Sequence, residues 1–151
     1  RLRNADRRRA IVQAVVEEAL IPVLPPLAGL EVRVAMFDQG WSGIRNTESG
    51  LEIARKVLRL RDLTPDQMVV VESLLLDHLD REAGLIDSMS DEIERLREGD
   101  GGMAEMMRSS EISEKFGFRR GEMQERLVQR LLAVLSPEQI ARIPALARRV
   151  D

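Results

Sequence analysis

From Pro65 onward, apolar residues recur at steps of three and four: Met68, Val71, Leu75, Leu79, Ile86, Met89, Ile93 and Leu96, with Glu82 alone breaking the run. That spacing predicts one face of a long helix, a seam of about four heptads. Thr64 stands where a cap belongs, Pro65 at the first helical position and Gln67 three residues after the cap. A helix from Thr64 to Arg97 spans roughly 50 Å. Gly99, Gly101 and Gly102 close it.

The rest of the chain reads as shorter pieces. Asp6 to Leu20 predicts a helix, with Ile11, Val12, Val15, Val16, Ala19 and Leu20 on one face and Asn4 or Asp6 as its cap. Pro22, Pro25 and Pro26 end it. Val32, Val34 and Met36 alternate with polar or small residues, which predicts a short strand near 31–37. Such a strand needs a second strand or a partner to pair with. Residues 39–50 carry Gly40, Gly43 and Gly50 with Ser, Asn and Thr, the chemistry of a loop. A helix follows from about Glu48 to Arg61, with Leu51, Ala54, Val57 and Leu58 inside and a basic tail that suits the C-terminal dipole. Met103 to Ser110 predicts a short helix. Glu111 to Gly121 is ambiguous, because Gly117 and Gly121 lower helical propensity. Arg119 to Leu135 predicts a long helix with Leu127, Val128, Leu131 and Leu132 inside. A last short helix holds Ile140, Ile143 and Leu146, kinked at Pro144.

The pattern therefore predicts an all-α fold. A long antiparallel helical hairpin has Thr64–Arg97 and Arg119–Leu135 as arms, flanked by shorter helices and the one strand near 31–37. Two parts follow along the chain: residues 1–50, a helix with a proline- and glycine-rich extension, and residues 51–151, the helical domain. The long seam predicts a homodimer, since an apolar stripe of that length calls for a cover.

Composition narrows the chemistry. The 151 residues include 23 Lys+Arg against 26 Asp+Glu, one His and no Cys, with aromatics at 3%. Without cysteine there is neither a disulfide framework nor a thiolate metal site. Any triad that uses an imidazole must use His78. Balanced charge and scarce aromatics argue against nucleic-acid binding. No run reaches the roughly 18 apolar residues of a membrane helix. The chain begins with Arg, so a trimmed leader or anchor is compatible with it. An enzyme is the least expected class, and no cofactor is expected.

Several side chains invite a chemical reading, each with a plainer one beside it. His78 sits among Asp77, Asp80 and Glu82, and these could share a divalent metal across a dimer. One imidazole with carboxylates is a weak ligand set, and a half-buried histidine beside the seam is the favoured reading. Met103, Met106 and Met107 suit a soft metal or a client, but suit packing or a dimer contact better. Asp91, Glu92, Glu94 and Arg95 read as a solvated face with intrahelical pairs. Arg7, Arg8 and Arg9 could meet phosphate or an anionic surface, though a charge run is usually solvated. Trp41 reads as a loop anchor, with a partner contact as the alternative.

One phrase occurs twice. Leu63-Thr64-Pro65-Asp66-Gln67 and Leu135-Ser136-Pro137-Glu138-Gln139 each follow a helical stretch and open another. As local chemistry, each is simply a good helix start. As a pair bracketing long helices, they resemble the LTxxQ-motif family of periplasmic proteins, which includes the Spy- and CpxP-type chaperones, stress regulators and related metal sensors. The resemblance covers about Leu51 to Leu146. Ser136 replaces the usual threonine but keeps the capping hydroxyl. Residues 1–50 fall outside the family pattern.

The resemblance implies that Leu63, Thr64, Pro65, Gln67, Leu135, Ser136, Pro137 and Gln139 are structural, drawing helix ends together in a curved dimer. It implies a non-catalytic envelope protein that binds unfolded or stress-related protein clients. A metal- or signal-sensing module, and a structural subunit of a larger assembly, are the alternatives.

Overall fold

A computed structural model of the chain describes residues 16–40, 49–97 and 102–150. The described residues are helical and contain no strand. The chain divides between 44 and 45 into two compact units.

In the first unit, Val16–Leu20 forms a π-helical turn and Ile21–Val23 a 3-10 turn that contains Pro22. Val16–Leu20 are the last residues of the helix expected over 6–20. Its earlier part, with Asn4, Asp6 and Arg7 to Arg9, lies outside the described residues, as does Trp41. Leu24 is extended, and α1 (Pro26–Gly40) begins on Pro26. Proline suits a first helical position, where its missing donor has no partner to lose.

The strand expected near 31–37 is a correction: those residues lie within α1. Val32, Val34 and Met36 alternate, but Leu27, Leu30 and Val34 also stand at steps of three and four. Val34 is buried. A short alternating run is thus read equally well by a helix, and among the described residues no strand is there to hold the extended form.

The second unit starts with α2 (Gly50–Leu58). Ser49 caps it: its hydroxyl accepts from the Glu52 N–H at 3.2 Å, and Glu52 Oε2 accepts from the Ser49 N–H at 3.2 Å. Leu51, Ile53, Ala54 and Val57 are buried, and α2 packs on both arms of the hairpin that follows. The arms are α3 (Pro65–Arg97) and α4 (Met103–Val134), followed by the short helices α5 (Pro137–Ala141) and α6 (Pro144–Ala147).

Cross-arm pairs fix the antiparallel direction. Asp77 meets Arg130, Glu82 meets Arg120 and Glu92 meets Lys115, so positions rise along one arm as they fall along the other. Gly102 enters α4 at φ +145°, a backbone region that side chains avoid.

The seam of α3 is buried as far as Met89: Val71, Leu75, Leu79, Glu82, Ile86 and Met89 are inside, with Leu74, His78 and Ala83 beside them. Phe116, Leu127, Val128 and Leu131 of α4 are likewise buried, and α3 and α4 pack along their length. Fully burying one such side chain contributes about 1.5–3 kcal/mol. The seam expected to hold a second copy is therefore covered by the chain's own second arm. Met68, expected at its start, faces solvent.

Two further corrections concern continuity. Met103 to Val134 is one helix, where a short helix, an ambiguous stretch and a long helix were expected. Gly117 and Gly121 each cost it about 1 kcal/mol of propensity. Packing on α3 through Phe116 and Arg120 carries the helix across them. Pro144 opens a separate helix instead of kinking one, with Ile143 extended before it.

Candidate functional site

The two repeated phrases meet at the open end of the hairpin. Each first closes its own helix start. The Thr64 hydroxyl accepts from the Gln67 N–H, and Gln67 Oε1 accepts from the Thr64 N–H, both at 3.1 Å. The Ser136 hydroxyl accepts from the Gln139 N–H at 3.3 Å, and Gln139 Oε1 accepts from the Ser136 N–H at 2.9 Å. These are two capping boxes.

The same glutamines then reach across to each other, 72 residues apart in sequence. Gln67 Nε2 donates to Gln139 Oε1 at 3.0 Å, and Gln139 Nε2 donates to Gln67 Oε1 at 3.1 Å. Gln67 Nε2 also donates to the Val134 carbonyl, and Gln139 Nε2 to the Asp62 carbonyl, each at 2.9 Å. Those carbonyls each stand two residues ahead of a cap, so the arrangement has approximate two-fold symmetry. Every donor and acceptor of both amides is used. Gln139 is buried and Gln67 half-buried. Leu135 is buried behind its cap, while Leu63 is half-exposed and Pro65 and Pro137 are exposed. Arg142 Nη1 reaches Asp62 Oδ1 at 2.9 Å on the rim.

One turn after Leu79, the seam carries a carboxylate. Glu82 is fully buried and His78 nearly so. Arg120 of the facing arm donates from Nε to Glu82 Oε1. His78 Nε2 lies 3.3 Å from Glu82 Oε2, close enough for an ion pair but not aligned as a hydrogen bond. Burial pushes the Glu82 carboxyl up, yet His78 and the Arg120 charge outweigh it and hold it below the ordinary 4.5. Arg120 is the residue that sequence reasoning missed. Its signal was Glu82 itself, since a carboxylate in a seam calls for a cation on the facing helix.

The four residues considered for a metal do not converge. Asp77 faces outward, where Arg81 Nε and Arg130 Nη1 each hold one of its oxygens at 3.0 Å. Asp80 is exposed. Glu82 presents one oxygen to Arg120, a fixed cation where a metal would need an anion's free electron pairs. Among the described residues no group of three His, Asp or Glu side chains is placed to hold a metal ion. Surface clefts beside Met89 and Phe116, and beside Phe118, do not include His78 or Glu82.

Two exposed carboxyls are also held low. Glu125 accepts from Gln129 and from Arg149, and Glu138 from backbone N–H and from the Ser136 hydroxyl. Both serve helix ends and surface pairing, which contribute little each.

What remains for an encounter with another molecule is the outer surface. Val69 and Leu76 on α3, and Met103, Met107 and Phe118 on α4, stand in solvent. No helix among the described residues is long and apolar enough to cross a membrane. No family model, curated protein or solved structure matches the chain.

Proposed function

We propose that this chain is a non-catalytic envelope protein that binds unfolded or stress-related protein clients, working as the LTxxQ-motif proteins do and acting from the periplasm as a homodimer. The observation that carries the reading is where the polar and apolar groups are spent. Among the described residues, the buried polar side chains Gln139 and Glu82 bind across the hairpin, to Gln67 and Arg120, and buried His78 lies beside Glu82 on the same helix. Large apolar side chains such as Val69, Met107 and Phe118 are left in solvent. A hairpin so arranged offers surface, and methionine and long-stemmed arginine suit varied partners.

Aggregation of a chemically unfolded model protein, followed by light scattering, tests it. Suppression at stoichiometric amounts is the expected result. Unchanged scattering at about tenfold excess contradicts client binding. Fractionation of source cells, with the chain in the periplasmic fraction, is the expected companion result.

A further inference from the structure

We infer that the solvent face of the first half of α3 is the client-docking strip, and that it selects segments that are both apolar and cationic. The inference rests on the binding function proposed above and names the class of partner. The first turns of α3 concentrate exposed apolar residues: Val69 is 66% exposed, Val70 42% and Leu76 40%. Val69 and Leu76 stand seven residues apart, on one helix face and about 10 Å from each other. Nothing in the fold of this unit demands them there, because the seam of α3 lies on the opposite face.

The charges of this face that lie outside ion pairs share one sign. Asp66, Glu72 and Asp80 are exposed on the same side of the helix. None of the three makes an ion pair among the described residues. Asp77, at the edge of this face, is ion-paired to both Arg81 and Arg130, so the acidic rim is Asp66, Glu72 and Asp80 alone. The strip is thus two apolar anchors inside an acidic rim.

That pattern is complementary to an amphipathic segment with apolar residues every three or four positions and Lys or Arg beside them. It is poorly matched to a second copy of itself. A symmetric contact would set Asp66, Glu72 and Asp80 against the same residues of the other chain. The occupant is therefore a basic, apolar segment of an unfolded protein, steered in by charge and held by Val69 and Leu76.

Fluorescence anisotropy with two labelled synthetic peptides tests this on the full chain. One alternates Leu with Lys in helical spacing; the other carries Glu for every Lys. The Lys peptide binds about tenfold more tightly, and about 0.5 M salt removes most of the difference. Val69→Ser with Leu76→Ser lowers its affinity about tenfold. Glu72→Lys with Asp80→Lys shifts the preference to the Glu peptide. All four positions are exposed, so both double variants keep the wild-type melting curve.

Equal binding of the two peptides overturns the inference, and so does wild-type affinity in either double variant. Dissociation of a wild-type dimer by Val69→Ser with Leu76→Ser also overturns it, assigning the strip to a second copy. Aggregation suppression that survives both double variants leaves client binding standing and places it on another surface. Failure of wild type to suppress aggregation strikes the parent reading instead.

Discussion

Glu82 occupies a position that the seam reserves for leucine, and its surroundings set the cost of touching it. The carboxylate is fully buried, while the Arg120 side chain is 25% exposed. The two partners are therefore unequal. Arg120→Leu strands a buried carboxylate and is expected to cost about 3–5 kcal/mol. Glu82→Leu leaves an arginine whose head can turn to water, and it restores the apolar seam, so it is expected to cost less than half as much. Urea unfolding of both variants measures this, and a larger loss from Glu82→Leu contradicts the pairing described here.

The same carboxylate sets a response to acid. Its folded pKa lies below the ordinary 4.5, so the unfolded chain takes up the proton first. The stabilisation is complete above that ordinary value and is lost as pH falls through the lower folded one. The stability gap between wild type and Glu82→Gln is thus expected to stay level from about pH 7 to 5 and to narrow below about pH 4. Thermal melts across that range read the gap directly. A gap that widens on acidification runs against the sign argued here.

At the scale of elements, the sequence was most legible where local chemistry and tertiary packing agree. Thr64, Pro65 and Gln67 open α3, and its apolar steps mark the buried face almost to the end. Elsewhere the two disagree. Gly117 and Gly121 argue locally for a break, but α3 lies alongside and the helix runs through. Residues 31–37 alternate locally, but helical spacing runs through the longer stretch. The long-range partners have no local link: Glu82 calls for a cation on the facing helix without saying which, and nothing in the sequence ties Gly50 to Gln124.

The glycines turn this into a contrast. Gly50 donates its N–H to Gln124 Oε1, and an added Cβ would lie 2.8 Å from that oxygen and 3.1 Å from the Gln124 carbonyl. At Gly121 an added Cβ meets nothing within 4 Å. Gly50→Ala is expected to destabilise by about 1–3 kcal/mol. Gly121→Ala is expected to stabilise by up to about 1 kcal/mol, through helix propensity alone. Denaturation midpoints of the two variants should move in opposite directions; a shared direction refutes the packing assigned to α2 on α4.

At the scale of the whole second unit, one device holds the hairpin's open end. As local chemistry, the paired phrases at Leu63 and Leu135 are two helix starts. Their side chains form one hydrogen-bonded clasp between Gln67 and Gln139. The resemblance implies helix ends drawn together, but local chemistry does not give the glutamine pair, since a capping glutamine has no local reason to face another. With that end closed, with α2 packed on both arms and with Glu82 and Arg120 joining them midway, the unit turns these polar groups inward and leaves Val69, Met107 and Phe118 in solvent. That division of labour underlies the binding role proposed.

The clasp is therefore the place to press hardest. Equilibrium unfolding of Gln67→Ala, Gln139→Ala and the double variant measures whether the two phrases act as one. Each single change is expected to cost about 1–3 kcal/mol, because it leaves buried partners unmatched. The double is expected to cost little more than either, a coupling of roughly 1 kcal/mol or above. Losses that simply add, to within about 0.3 kcal/mol, would mean two separate caps and no clasp.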